Sequence, residues 1–99
     1  MESFTEEVVQ VIRSIPYGKA MSYGQVAALA GNPRAARQVV RVLHTMSRKE
    51  KLPWHRVVNR KGEIRLPHGQ GFEEQKAYLE AEGIEVDSKG RVDLSHYGV

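Results

Sequence analysis

The chain of 99 residues predicts a mainly α-helical fold with short strands, organised as a winged helix-turn-helix. Three observations lead to this fold class. Apolar residues recur at helical spacing in the first half of the chain. A short helix signal, a turn containing Gly and a second helix signal follow one another there. Two short β-prone stretches with Gly turns come later. The length predicts a single domain over residues 1–99 with one modest core.

The first predicted helix lies at the start of the chain. Ser3-Phe4-Thr5-Glu6 matches a capping box, in which Ser3 would precede the helix. The apolar positions that follow recur at helical spacing: Val8, Val11, Ile12 and Ile15. Pro16-Tyr17-Gly18 is expected to end the helix.

The next two predicted helices form the helix-turn-helix. Ser22-Tyr23-Gly24-Gln25 is a second capping box, opening a short helix that stops at Gly31. Asn32 and Pro33 then supply an N-cap and a first-turn proline for a helix from Arg34 to about Met46. This order of elements is typical of DNA-binding domains.

The second half of the chain predicts a wing. After a polar loop over residues 47–51, WHRVVN (54–59) reads as a strand. A turn at residues 60–62 leads into residues 63–65, and the resulting hairpin would serve as the wing. LPHGQG (66–71) is expected to be a mobile loop.

The last predicted elements are a helix and a hairpin. The helix runs from about Phe72 to Glu82, with Tyr78 and Leu79 facing inward and Gly83 as its stop. Residues 84–87 and 91–94 are predicted to pair as a closing hairpin.

Charge is unevenly distributed along the chain. The net charge is +3, but residues 31–65 carry ten basic and two acidic side chains, while residues 66–99 carry three and seven. A basic segment of this kind suits a polyanion such as DNA. On charge alone, a solvated basic face is the simpler interpretation.

The absence of cysteine excludes several kinds of chemistry. With no Cys in the sequence, disulfides, thiolate zinc sites and Cys nucleophiles are ruled out. The four histidines lack metal-ligand spacing, so neither a metal nor a cofactor is expected. The chain starts without a basic signal-peptide region and has no apolar run long enough for a membrane span, so we expect a cytoplasmic protein.

Four motifs resemble one family in order and spacing. They are AMSYGQVA (20–27), AGNPRAAR (30–37), PWHRVV (53–58) and LEAEG (79–83). Together they resemble the O6-alkylguanine-DNA alkyltransferases, whose P-C-H-R-V motif carries the Cys that accepts the alkyl group. Arg37 precedes Trp54 by 17 positions, the family's separation between its recognition-helix Arg and that Cys. Trp54 therefore stands at the Cys position, and an indole cannot accept an alkyl group as a thiolate does.

The resemblance implies a DNA-binding surface made of Tyr23, Ala35, Ala36, Arg37 and Arg41. Arg37 would enter the minor groove and take the place of an extruded guanine. Tyr23 would press on the 3′ phosphate, Arg41 would contact a phosphate, and the two alanines would allow close approach. An ordinary phosphate-contacting arginine and a half-buried core tyrosine are the simpler interpretations of Arg37 and Tyr23.

The resemblance also implies a pocket for the flipped base. Its expected lining residues are Tyr23, Leu43, Pro53, Trp54, Val57 and Arg65. Trp54 as core filler is the simpler alternative. His55 and Glu82 match the family's activating relay and, without a thiol, are expected to be remnants, with Arg56 buried and paired to Glu82.

Some positions depart from the family pattern. Val40 and Arg41 stand where the family commonly has a Gly pair, and Met46 stands where it has an Asn. We expect Val40 to add bulk where the DNA approaches, and the hydrogen bonding near Met46 to differ.

The function that this resemblance implies is recognition of O6-alkylguanine in duplex DNA without alkyl transfer. The expected partners are double-stranded DNA containing the lesion and nucleotide excision repair proteins, with the protein acting as a monomer. A sequence-reading winged helix-turn-helix regulator is the main alternative. A base-removing enzyme that uses His55 and Glu82 is the third.

Overall fold

The computed structural model describes residues 3–99 and confirms the predicted fold class. The elements are α1 (Ser3–Arg13), β1 (Met21–Ser22), α2 (Tyr23–Leu29), α3 (Ala36–Glu50), a 3₁₀ turn (Trp54–Arg56), β2 (Val57–Val58), α4 (Phe72–Ala81) and α5 (Leu94–Tyr97). None of the helices found between residues 3 and 99 has the length and apolar character to cross a bilayer.

Helix α1 forms where its apolar spacing predicts it, with small differences at its ends. Val8, Val9 and Ile12 are buried against the rest of the fold. Ser3 is already helical, so it is not the residue before the helix that the capping box predicts. The helix ends at Arg13, and Ile15 remains buried just beyond it.

Helix α2 begins as its capping motif predicts. The Ser22 hydroxyl oxygen accepts a hydrogen bond from the Gln25 backbone N–H at 3.1 Å. The Gln25 amide does not reach back to Ser22. Instead it donates to the Val99 carbonyl oxygen at 3.0 Å, so only half of the capping box forms.

Helix α3 starts later and ends later than predicted. The Asn32 side-chain oxygen accepts from the Arg34 N–H at 3.1 Å, which makes a local turn instead of an N-cap. The helix therefore begins at Ala36, two residues later than predicted, and Ala35 in the cap position supplies no side-chain cap.

The predicted loop at residues 47–51 is wrong, because α3 continues to Glu50. Arg, Lys and Glu are good helix formers, and a single Ser does not stop the helix. Lys51 ends it in the left-handed conformation (φ 52°), and the Leu52 N–H donates to the Ser47 carbonyl at 2.9 Å.

The strand predicted over residues 54–59 is mostly wrong. Residues 54–56 form a 3₁₀ turn, called the Trp54 turn below, and only Val57 and Val58 are extended. They pair in parallel with Met21 and Ser22. A parallel partner far along the chain leaves no local pattern in the sequence.

The predicted wing forms as a turn but not as a two-stranded hairpin. The Gly62 N–H donates to the Asn59 carbonyl at 2.9 Å, and Gly62 has φ +81°. Glu63 then forms an antiparallel bridge with Arg91 instead of extending a ladder with β2. The C-terminal segment thus supports the wing.

Helix α4 is confirmed apart from one side chain. Its buried face consists of Phe72, Gln75 and Leu79, and Gly83 follows the helix with φ +84°. Tyr78 is 47% exposed, so its predicted inward orientation is wrong. It lies one residue from Leu79, which rotates it about 100° away from the buried stripe.

The closing hairpin forms only in part. Val86 and Val92 make a single antiparallel bridge, and the rest of the predicted ladder is absent from residues 84–94. Leu94 is not its last strand residue, because it begins α5. The Asp93 carboxylate caps this helix by accepting from the Ser95 N–H at 3.0 Å.

Two hydrophobic clusters make up the interior. The first lies beneath α1, α2 and α3, and the second lies between α4 and the C-terminal segment. The Trp54 turn leads from Leu52 of the first cluster towards α4, which it contacts. This junction between the two halves is where the candidate site lies.

Candidate nucleic-acid interface

One side of α3 carries a stripe of basic side chains. Arg37, Arg41, His44 and Arg48 are exposed and spaced by four, three and four residues, so they share one face of the helix. None of the ion pairs found between residues 3 and 99 involves these three arginines. A row of uncompensated cations on a helix face is suited to a phosphate backbone.

A smaller cleft of about 350 Å³ lies beside the start of α3. Its lining residues are Tyr23, Ala36, Asn59, Arg60, Lys61, Glu63 and Arg65. Three of them are cations and one is an anion. Burial raises the pKa of the half-buried Tyr23, and the positive charge of Arg65 opposes that shift.

The two alanines predicted at the DNA surface differ in placement. Ala36 is half-buried and lines the smaller cleft. Ala35 is 8% exposed and belongs to the first hydrophobic cluster, so its side chain faces the core rather than the surface predicted for it.

A larger cleft of about 880 Å³, here called the Trp54 cleft, lies between α3, the Trp54 turn and the loop before α4. It is a cleft open to solvent and not an enclosed cavity. Four of the six predicted pocket residues line it together: Tyr23, Leu43, Trp54 and Val57.

The other two predicted pocket residues lie elsewhere. Pro53 is half-buried in the cap position of the Trp54 turn, outside the lining of the cleft. Arg65 is exposed and lines the smaller cleft next to Tyr23.

Trp54 is a half-buried cleft wall, which does not fit the alternative of core filler. The turn places the Trp54 N–H against the Leu52 carbonyl at 2.8 Å. The Tyr78 ring contacts the indole edge-on, with centroids 6.0 Å apart, and the His55 ring does so at 6.3 Å. Aromatic neighbours at these distances restrict the orientation of the indole.

A hydrogen-bonded network behind Trp54 joins His55, Arg56 and Glu82, and confirms the expected pairing of Arg56 with Glu82. His55 Nε2 lies 2.6 Å from Glu82 Oε2, and Arg56 Nη2 donates to the same oxygen at 2.9 Å. The Gly18 N–H donates to Glu82 Oε1 at 2.8 Å, and Arg56 Nε donates to it at 3.0 Å.

The Glu82 carboxylate is held in its charged form. Burial alone raises its pKa, but the hydrogen bonds from Arg56, Gly18 and His55 outweigh burial and lower the pKa from 4.5 to about 2. Each carboxylate oxygen already accepts at least two hydrogen bonds. Such a saturated, low-pKa carboxylate is suited to holding its neighbours in place and poorly suited to exchanging protons near neutral pH.

The network also ties distant segments together. Arg56 Nη1 donates to the Ile15 carbonyl at 2.8 Å, which reaches the end of α1. The Tyr17 ring covers the guanidinium at 5.7 Å, and the Tyr17 hydroxyl donates to the Ala81 carbonyl at 3.1 Å.

Sequence reasoning missed several residues of the site. His44 and Arg48 line the Trp54 cleft; the loop predicted at residues 47–51 concealed the place of Arg48 on the basic face, and His44 was considered only as a metal ligand. Gln75 and Leu66 also line it, and no motif marks them. Of the departures from the family pattern, Val40 lines the cleft and Met46 packs against the first hydrophobic cluster.

The fold is that of a helix-turn-helix DNA-binding domain with an open cleft beside its second helix. Residues 3–84 match the family model described as 6-O-methylguanine DNA methyltransferase, DNA binding domain, and the chain belongs to this family.

Similar proteins include one named for base flipping and one named as alkyltransferase-like. The DNA base-flipping protein of Escherichia coli is 48% identical over 97% of this chain and 74% of its own length. Alkyltransferase-like protein 1 of Schizosaccharomyces pombe is 38% identical over 87% of this chain and 81% of its own. The structure of S. pombe Atl1 in complex with damaged DNA containing O6-carboxymethylguanine has a TM-score of 0.86, with 36% identity over 100% of this chain and 96% of that one.

Proposed function

We propose that this protein recognises O6-alkylguanine in duplex DNA, turns the nucleotide out of the helix and holds it in the Trp54 cleft without removing the alkyl group. The observation that carries the proposal is Trp54 lining this cleft at the family's acceptor-Cys position, in a sequence with no cysteine. A relative named for base flipping and a relative solved with damaged DNA support it.

The basic face of α3 supplies the grip on the duplex in this proposal. Arg37, Arg41 and Arg48 neutralise phosphates and release counterions, which gives affinity without sequence preference. Arg37, the second residue of α3, is the finger that fills the space of the extruded base. Tyr23 and the cations of the smaller cleft hold the backbone of the rotated nucleotide.

Energy for holding the lesion comes from the Trp54 cleft. Extruding a base costs a few kcal/mol, and less where the lesion already pairs badly. The indole and Leu43 bury the alkyl group, and each buried methylene contributes about 0.8 kcal/mol. A methyl group alone therefore gives modest discrimination over guanine, and longer alkyl groups give more.

The lesion remains intact after binding. Alkyl transfer needs a thiolate-type nucleophile, which an indole does not provide. Glu82 is saturated with hydrogen bonds, which also argues against an enzyme that uses His55 and Glu82. A bound, unrepaired lesion requires a second activity, and we assign that step to nucleotide excision repair proteins that act on the complex in the cytoplasm, with this protein bound as a monomer.

The test compares matched duplexes at one salt concentration. One contains guanine, one contains O6-methylguanine and one contains a longer O6-alkylguanine. We expect tighter binding to both lesions, a change in Trp54 fluorescence on binding, and full retention of the alkyl group by mass spectrometry after long incubation.

Three results would contradict the proposal. Equal binding to the guanine and O6-alkylguanine duplexes would show that the protein does not recognise the lesion. Preference for one sequence regardless of damage would indicate the regulator alternative. Loss of the alkyl group or of the base from the strand would indicate an enzyme.

A further inference from the structure

Gln75 is an unusual residue on the buried face of α4. It lies between Phe72 and Leu79 in an otherwise apolar stripe, and it is 2% exposed. Within residues 3–99 no other polar or charged residue is as deeply buried. A buried amide is costly unless it is hydrogen-bonded, so its partners explain its presence.

Its partners are two backbone carbonyls on either side of Arg56. Gln75 Nε2 donates to the His55 carbonyl at 3.1 Å and to the Val57 carbonyl at 3.0 Å. An amide nitrogen has two N–H groups, so both donors are used. One side chain on α4 therefore fixes the segment that carries Trp54 and leads into β2.

Gln75 also lines the Trp54 cleft, together with Trp54 and Val57. The cleft wall is built from two layers that have no other covalent or ladder connection at this point: α4 on one side and the Trp54 turn on the other. Their relative position depends on this amide, on the hydrogen bonds from His55 and Arg56 to Glu82 at the C-cap of α4, and on the edge contact between Tyr78 and Trp54.

We propose that Gln75 is a positioning residue that sets the location of the Trp54 wall, so that its loss lowers discrimination between lesion and guanine without loosening the grip on DNA. The inference rests on the proposed function. An apolar residue at this position removes both donors, so that only Glu82 and the Tyr78 ring still hold the Trp54 turn to α4, and the Trp54 wall can shift.

The separation of the two effects follows from geometry. The cations that bind phosphate lie on α3 and on the wing turn, and none of them contacts Gln75 through the hydrogen bonds or ion pairs found among residues 3–99. Binding to an undamaged duplex depends on those cations. It is therefore expected to be insensitive to Gln75.

The experiment uses three variants of the full chain. Gln75→Met keeps the length of the side chain and removes both donors. Gln75→Leu also removes both donors and matches the apolar neighbours Phe72 and Leu79 on this face, so it serves if the first variant folds poorly. Gln10→Met is the matched control, because Gln10 is exposed on α1.

All measurements use one salt concentration and a temperature well below the melting temperature of each variant. Three quantities are measured: the Kd for an O6-methylguanine duplex, the Kd for the guanine duplex, and acrylamide quenching of the fluorescence of Trp54, the sole Trp. For Gln75→Met and Gln75→Leu we expect the Kd for the guanine duplex divided by the Kd for the O6-methylguanine duplex to fall by about tenfold, because the Kd for the lesion duplex rises, as the loss of two hydrogen bonds predicts. Trp54 should become easier to quench. Gln10→Met should match the wild type.

The outcomes separate the two proposals. A wild-type ratio of one overturns lesion recognition itself. If both Gln75 variants discriminate lesion from guanine as well as the wild type does, the role of Gln75 is overturned and lesion recognition stands. An equal loss of affinity for both duplexes also overturns that role, because the residue would then support the fold in general and not the Trp54 wall.

Discussion

In the proposed mode of binding, Arg37 is the side chain that acts on the interior of the duplex. It is the second residue of α3, exposed at the end of the basic face that lies next to the smaller cleft. A guanidinium is planar, always charged and able to stack, so it can replace a base and hydrogen-bond to the orphaned partner. Lysine at this position would keep the charge and lose the planar fork.

Arg37→Ala is expected to weaken binding to an O6-methylguanine duplex by roughly 10- to 100-fold, the value of a good base-edge contact. Equilibrium binding by fluorescence anisotropy measures it. Arg34→Ala is the matched control, since it removes the same charge from an exposed residue outside the basic stripe. Equal effects of the two changes would mean that Arg37 acts only as a charge.

Trp54→Ala is expected to abolish the preference for lesion over guanine, because the apolar wall against the alkyl group is removed. Trp54→Phe should retain part of it, since a smaller aromatic ring still buries apolar area. Paired Kd measurements on both duplexes test this. Preserved discrimination in Trp54→Ala would assign recognition to other residues of the cleft.

The motif positions allowed much of the candidate cleft to be predicted from sequence. Leu43, Trp54 and Val57 were expected in one pocket and line one cleft. Gln75 was not foreseen, because its partners are the backbone carbonyls of His55 and Val57, which every residue type carries. A contact of this kind leaves no spacing pattern in the chain.

At the scale of elements, local signals predicted well and distant partners did not. The start of α2 is fixed by the hydrogen bond between Ser22 and Gln25, which lie in one four-residue segment, and this start was predicted correctly. The pairing of β1 with β2 and the bridge from Glu63 to Arg91 join segments far apart in sequence. Those partners decide whether residues 54–65 form a ladder, and no local propensity encodes them.

The wing turn depends on Gly62 for two reasons. Its φ of +81° disfavours other residues, and a Cβ there would lie 2.0 Å from the Val92 carbonyl oxygen. Gly62→Ala should therefore destabilise the protein by about 1–3 kcal/mol in urea unfolding.

Gly69→Ala is the control for the wing prediction. Gly69 has nearly the same φ, +79°, but a Cβ there meets no atom within 4 Å. Gly69→Ala should therefore lose only the stability that depends on the positive φ angle, because no contact with another residue is disturbed. Equal losses for the two variants would show that contact with Val92 does not limit the wing.

At the scale of the whole molecule, Glu82 joins α4 to the Trp54 turn and to the segment after α1. Its folded pKa of about 2 lies below its ordinary value of 4.5. A lowered carboxylate pKa stabilises the fold above the ordinary value, and this stability is lost as pH falls from about 4.5 towards 2.

We therefore expect the free energy of unfolding to decrease by up to about 3 kcal/mol over this acid range through Glu82. Urea unfolding at several pH values measures the slope. Glu82→Gln should lower stability at neutral pH and flatten the slope, leaving only the smaller contribution of exposed carboxylates such as Glu73 and Asp87. An unchanged slope in this variant would assign acid sensitivity elsewhere.

The solvent-open side of the Trp54 cleft has a consequence for the range of damage that one protein can serve. A sulfur acceptor must meet a particular carbon atom at bonding distance, and it is consumed by doing so. In the proposed mode of binding, an indole wall in a cleft open to solvent demands no such alignment, and the protein is not consumed. We therefore expect adducts with bulky or charged tails to be held with the tail in water, and one protein molecule to serve many lesions in turn.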